Sequence, residues 1–274
     1  MIDTMDKLVA AVAQGQKFTI QKLSTTSVAN NWNSLWDAAG NPGAGAMSIG
    51  NTTAGVVPTD ATAGAPKITD FTGGNAGHLG DWTINIASTG TQMLYDRLWH
   101  AGSFACSSLT TFTITAPPSI AARLPATNYG EVEIWLEVNA ANGATNTIVS
   151  VTYTNEAGDT GHTATHTGQF ANLASFITRR MVRMDLQAGD KGVQKIESVI
   201  VSGATGTMTF NVVLLRRLAT TCCISSSTGP AGGPMDAFKL GLPRIFSDSC
   251  LALMICPTST ATGGCYTWGT IIQG

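Results

Sequence analysis

The chain has 274 residues, of which only 12% are charged, and a formal net charge of −2 with the two signs scattered along it. That length buries a full hydrophobic core without metal or disulfide staples, and the charge pattern excludes the basic footprint of a protein that grips nucleic acid or an anionic membrane. With 30 glycines and many Thr, Ala and Ser residues, the chain carries less charge than the quarter to a third of exposed positions, roughly, that a solvated small domain uses, so much of its surface is expected to be interface.

Met5, Leu8, Val9 and Val12 recur at helical spacing, with Asp3 or Thr4 as N-cap and Gly15 as the stop, which predicts a short amphipathic helix over 4–14. Residues 17–22 alternate as a strand. Residues 30–39 set Trp32, Leu35, Trp36 and Ala39 on one helical face before Gly40 and Pro42, predicting a second helix. The stretch 40–80 is mostly Gly, Ala, Thr and Ser, with only Asp60, Lys67 and Asp70 charged. Such a segment cannot fill a core, and its low charge predicts an extended arm lying against a neighbouring surface rather than a solvating linker. A strand is predicted at 82–86, a helix at 91–100 with Leu94 and Leu98 on one side and Gly102 as its stop, and a strand at 109–115 closed by Pro117 and Pro118.

Alternation is cleanest over 129–218. Val132, Ile134, Leu136 and Val138 fall on one face and Glu131, Glu133 and Glu137 on the other, predicting a strand with one wet side. Similar runs follow at 147–154, 181–187, 193–202 and 207–218, separated by glycine-rich turns. Residues 251–255 and 266–272 read as two further strands, with a closing hairpin as their simplest pairing. The predicted fold class is mainly β: an antiparallel sandwich or jelly-roll-like core over 81–220. Residues 1–80 would form helix, strand, helix and extended arm, and 221–274 a cysteine-rich loop and closing hairpin.

Candidate chemistry is sparse. His162 and His166, near Asp159, are four residues apart in a Thr-rich strand pattern, where side chains so spaced stand about 13 Å apart, too far for one ion. Cys106 and His100 lack any signature of a cysteine nucleophile, and a buried thiol is the expected fate of Cys106. Cys222, Cys223, Cys250, Cys256 and Cys265 leave two readings open, free thiols in a reducing compartment or pairing near the C-terminus. Neither Gly-x-Ser-x-Gly nor a phosphate-binding glycine loop is present. Glu131, Glu133 and Glu137 are expected to be a solvated or interfacial stripe, and the Arg179, Arg180, Arg183 and Arg216, Arg217 clusters to meet it across the sandwich. No cofactor and no metal are expected. The N-terminus lacks a basic, then apolar, secretory pattern and no run is long enough to span a membrane, so synthesis in the cytoplasm is expected.

The run Gln92-Met93-Leu94-Tyr95-Asp96-Arg97-Leu98-Trp99-His100, as a helix that follows a short N-terminal helix and a small-residue arm and precedes β-rich sequence, resembles tailed-bacteriophage virion proteins found beside the major capsid protein. The resemblance implies a non-enzymatic structural role on the capsid surface, as a head decoration or cement protein bridging capsid subunits. The implied partners are the major capsid protein and further copies of the chain, as a dimer or trimer, with neither nucleic acid nor membrane. Met5, Leu8, Val9, Val12, Trp32 and Trp36 are the expected interface residues. Two rivals differ in kind: a tail, collar or fibre module that binds host glycan, marked by exposed Trp and Tyr beside acidic or amide groups, and a depolymerase with paired carboxylates.

Overall fold

The computed structural model describes residues 2–73, 75–141, 147–166, 177–203, 206–223 and 234–274. The N-terminal part holds helix α1 (Met5–Gln14) and strands β1 (Gln16–Lys22), β2 (Asn33–Ser34), β3 (Gly40–Asn41), β4 (Gly77–Ile86), β5 (Gly90–Ala105) and β6 (Thr110–Thr113). Strands β7 (Val132–Ala140), β8 (Thr147–Asn155), β9 (His162–Thr165), β10 (Met181–Arg183), β11 (Val193–Gly203) and β12 (Thr209–Cys223) follow. The C-terminal part adds β13 (Met235–Asp236), helix α2 (Ala237–Leu240), β14 (Arg244–Ile245), β15 (Leu251–Pro257) and β16 (Cys265–Gln273).

These strands make three antiparallel sheets, giving the mainly β, sandwich-like architecture that the alternation predicts. The central sheet runs β10-β7-β12-β5-β15-β2, the second β13-β4-β16-β1-β3 with β14 also beside β4, and the third β6-β11-β8-β9. The two longest strands, β5 and β12, pair from Gly90 and Cys223 at one end to Ala105 and Thr209 at the other. One face of this ribbon closes two cores in succession. Leu98, Phe104, Phe210 and Val212 pack with Val151, Tyr153 and Val199 of the third sheet. Leu94, Leu218 and Leu253 pack with Phe18, Ile84 and Ile271 of the second. The reverse face carries Met93, Tyr95, Trp135, Val213 and Leu215 under Trp36.

Asp96 shares a face with Leu94 and Leu98 by strand alternation and so stands between the two cores. Fully buried, it accepts hydrogen bonds from Arg123, from the Ser249 hydroxyl at 2.8 Å and from the Cys250 N–H at 2.9 Å. Arg97, on the opposite face, forms a buried ion pair with Glu137 of β7. Pairing between β5 and β12 passes from Arg97 opposite Leu215 to Trp99 opposite Leu214, leaving Leu98 as the extra residue of a bulge. The bulge changes the alternation, so Arg97 and His100 share a face and the guanidinium meets His100 Nδ1 at 2.9 Å.

The arm crosses this reverse face of its own chain and then runs along the edge of β5 that β15 leaves unpaired. The Trp36 indole N–H donates to the Ala46 carbonyl, and Asn211 of β12 donates to the Met47 carbonyl and accepts from Ser48. Val56 and His100 exchange both backbone hydrogen bonds, and Arg123 donates to the Pro58 carbonyl at 2.6 Å. Its small residues have a steric reason: a Cβ at Gly45 would overlap the Trp36 ring and one at Gly55, where φ is +71°, the Trp99 ring. The neighbouring surface predicted for 40–80 is thus the chain's own body: the central sheet for 45–58 and the second sheet for 67–72, before β4 begins at Gly77.

Four expectations need correction. Residues 91–100 lie within β5, not a helix, because the good helix propensity of Gln, Met, Leu and Arg is only a weak preference that burial on both sides overrides. Residues 30–39 form β2 and a turn, since Leu35 and Ala38 are drawn into the second core while Trp36 enters the reverse-face cluster. The acidic stripe of β7 is not uniformly wet, because Trp36 and the arm cover its second face near Glu137 and leave that carboxylate fully buried. Finally, β15 and β16 do not form a hairpin: β15 pairs β5 and β2, and β16 pairs β1 and β4, so the intervening loop crosses between sheets.

Removing one partner of a buried ion pair leaves a charge without compensation, whereas removing both is tolerated when the space is refilled. Glu137→Leu is expected to lower the unfolding free energy by about 3–5 kcal/mol, and adding Arg97→Met to recover most of that loss in urea titrations. A double variant as unstable as the single one contradicts a role dominated by the pair.

Candidate functional site

The surface least explained by folding is that of α1. Thr4 caps it, accepting from the Lys7 N–H at 3.3 Å, and an exposed Asp3–Lys7 ion pair at 2.7 Å adds little, about 0–1 kcal/mol. No residue of α1 is buried. Leu8 and Val12 are half-buried against the body, while Met5 and Val9 stand 57% and 62% exposed. Facing them is α2, a single turn capped by Asp236 through the Lys239 N–H and ended by Gly241 at φ +69°. Its Phe238 is 69% exposed. A groove of about 240 Å³ runs between the two, lined by Met5, Leu8, Val9, Val12 and Phe238. Asp81 and Asp236 also border the groove, and its apolar side chains offer burial to those of a partner.

Of the six expected interface residues, Met5, Leu8, Val9 and Val12 share this surface, and the two tryptophans lie elsewhere. Trp36 is 1% exposed, with the Arg97 guanidinium 4.8 Å from its ring centroid. Trp32 is half-buried and stands edge-on to Trp135 with centroids 6.1 Å apart. Phe238 went unnoticed in the sequence, although Asp236 as cap and Gly241 as stop were legible signals for the turn that displays it.

The candidate chemistry resolves into ion pairs and hydrogen bonds. His162 Nδ1 lies 2.7 Å from Asp190, whose carboxyl also accepts from the Tyr153 hydroxyl at 2.5 Å and the Asn155 amide at 3.0 Å. Burial opposes the Asp190 charge, but these hydrogen bonds outweigh it and hold the carboxyl below its ordinary range. His166 lies beyond the end of β9, and no group of three or more potential ligands for a metal ion exists among the described residues. The arginine clusters meet the acidic residues within the chain, but along neighbouring strands of one sheet and not across the sandwich as expected. Arg217 and Arg183 reach Glu133 at 2.9 and 3.5 Å, and Arg216 reaches Glu131 at 3.6 Å, while Arg179 turns instead to Asp37 at 2.6 Å. With Glu137 on Arg97, every carboxylate of the stripe is engaged by an arginine.

His100 and Cys106 do not meet as a catalytic pair: His100 bonds Arg97, and Cys106 is buried in the first core. No disulfide joins the six cysteines. Burial pushes the Cys250 thiol up to about 12, with Asp96 adding to it, and the Cys265 thiol likewise to about 12. No helix of the described chain is long and apolar enough to cross a membrane. Comparison with family models, with curated proteins and with solved structures finds no match to this chain.

Two outcomes follow from these environments. Burial, then the Arg97 charge, lowers the His100 pKa well below 6.5, so the folded chain keeps this imidazole neutral. Below 6.5 the unfolded chain binds a proton that the folded chain does not, and stability present above that value is lost as pH falls. Melting temperature is expected to drop from pH 7 to pH 5, with a shallower slope in His100→Gln; an equal slope contradicts the assignment. In thiol labelling of the native chain, exposed Cys222 is expected to react first and half-buried Cys256 more slowly, with Cys106, Cys223, Cys250 and Cys265 reacting only on unfolding.

Proposed function

We propose that this chain is a non-enzymatic structural protein of a tailed-bacteriophage virion: a head decoration or cement protein that bridges and stabilises neighbouring major capsid subunits. The observation that carries this reading is the open face of α1, where Met5, Val9 and Phe238 stand in solvent on a chain whose cores are otherwise closed. Low overall charge and the resemblance of residues 92–100 to such proteins support it. The major capsid protein occupies the α1 groove, and further copies of the chain join it on the capsid surface as a dimer or trimer.

A cement protein acts by adding buried area across joints that the shell alone holds weakly. A standard interface buries roughly 1,600 Å², and many copies multiply its effect. A body whose arm is already folded loses little conformational entropy on docking, which favours binding.

The test uses capsids stripped of this protein and then re-decorated. Burying an apolar side chain of this size contributes about 1.5–3 kcal/mol, and about 1.4 kcal/mol is a tenfold change. Met5→Glu with Val9→Glu is therefore expected to weaken capsid binding by about a hundredfold or more while leaving the unfolding curve nearly unchanged, because neither side chain is buried. Re-decoration by the wild type should raise the resistance of particles to heat and osmotic shock. Equal binding by the variant, or particles equally resistant with and without the protein, contradicts the reading.

A further inference from the structure

The outer face of the second sheet carries a feature that assembly through α1 does not use. Tyr266 and Trp268 alternate with the buried Cys265 and Thr267 on β16, in the middle of the sheet, and are 44% and 38% exposed. Their rings lie 5.4 Å apart between centroids, tilted by 49°. Strand register places Asn85 of β4 and Gln21 of β1 on either side of Tyr266, with Asn41 of β3 beyond Gln21. Thr83 and Thr19 flank Trp268 in the same way. Two aromatic rings are thus bordered by three amides and two hydroxyls.

These polar groups are unspent. Among the described residues, neither the side-chain amides of Gln21, Asn41 and Asn85, nor the Tyr266 hydroxyl, nor the Trp268 indole N–H makes a hydrogen bond within the chain. A shallow groove of about 280 Å³ opens beside Tyr266, lined also by Gln21, Leu23 and Asn85. The two rows contain no charged side chain, since Lys22, at the end of β1, turns inward and donates to the carbonyls of Ala38, Pro42 and Gly43, each at 3.1 Å.

Trp and Tyr combine an apolar body with a polar tip, and a site that buries hydroxyl groups must supply each with a hydrogen-bond partner. A pyranose ring presents the complementary pattern, a face of C–H groups and a rim of hydroxyls. Charge complementarity points the same way: the nearest charges on this face, Lys17 and Asp81 on either side of Thr270, are opposite in sign, so the face has no net charge to attract an acidic ligand or repay its desolvation. We propose that Tyr266 and Trp268, with Gln21, Asn41 and Asn85, form a binding site for a neutral saccharide. The rings stack on the sugar's C–H faces and the amides bond its hydroxyls, while paired strands hold all five side chains in place before binding. The groove is near the lower bound of roughly 300 Å³ for small-ligand sites, which suits one or two sugar units of a longer chain. This inference is independent of the assembly reading.

The experiment titrates the full chain with glucose, galactose and N-acetylglucosamine oligomers while following tryptophan fluorescence. Trp36, Trp82, Trp99 and Trp135 are almost fully buried and Trp32 is half-buried against Trp135, away from β16, so a change that Trp268→Ala abolishes reports on the site. At least one neutral oligomer is expected to give a saturable shift, with affinity reduced about tenfold or more in Trp268→Ala and in the paired variant Gln21→Ala, Asn85→Ala. The amide variant keeps both rings of the Tyr266–Trp268 platform, which separates hydroxyl recognition from stacking. Sialylated forms should bind no better than their neutral parents, and Met5→Glu with Val9→Glu should bind saccharide normally. The proposal is overturned by absence of binding at millimolar saccharide, by undiminished binding in Trp268→Ala, or by sedimentation showing that Trp268 joins two copies of the chain.

Discussion

Two adjacent residues of opposite charge, Asp96 and Arg97, sit in the middle of the longest strand with neither side chain reaching water. A carboxylate or guanidinium taken out of solvent costs several kcal/mol unless its partners are in place, so each charge dictates the position of whatever satisfies it. Asp96 draws in Arg123 from the segment after β6 and the Ser249–Cys250 entry to β15. Arg123 in turn fixes the arm at Pro58. Arg97 binds β7 through Glu137 and lies over Trp36, beneath which the arm begins. Segments remote in sequence are therefore tied to one point of the β5–β12 ribbon.

This arrangement explains what sequence patterns conveyed and what they concealed. A strand with one covered face shows its state through period-two alternation, and β1, β4, β8, β11 and the start of β7 were legible for that reason. Residues 91–100 were not: β5 is covered on both faces and its bulge at Leu98 breaks the alternation, leaving Leu94 and Leu98 at a spacing that a helix shares. The burial of Glu137 was hidden for a related reason, since its partner Arg97 lies forty residues earlier and nothing local signals that the second face is covered. In contrast, the meeting of Arg183, Arg216 and Arg217 with Glu131 and Glu133 was predictable from their opposite charges, although not its place along neighbouring strands of one sheet. The four α1 residues were legible from helical spacing, whereas Tyr266 and Trp268 were legible only as strand residues. Their exposure depends on which strands pair with β16.

The arm shows how composition acts through structure. Its Gly, Ala, Ser and Thr residues cannot build a core, yet they let a backbone approach the Trp36 and Trp99 rings closely and cover them. Low charge, read in sequence as a sign of interface, is in part consumed within the chain by this covering. Among the described residues, the exposed large hydrophobics that gather into surfaces are those of α1 with Phe238 and those of β16, while Leu23 and Leu109 also stand outward. Both surfaces are carried by the second sheet, whose paired strands hold them in place.

The central claim is that the arm belongs to the fold of the single chain and is not ordered by a partner. Hydrogen exchange on the isolated protein tests it directly through the amides of Gly45, Val56 and Ile68, which donate to the Trp36 carbonyl, the His100 carbonyl and the Asp60 carboxylate. The account predicts that these amides exchange slowly, approaching the protection of the β5–β12 ladder. Exchange at the rate of an unstructured chain, with β5 still protected, would contradict it.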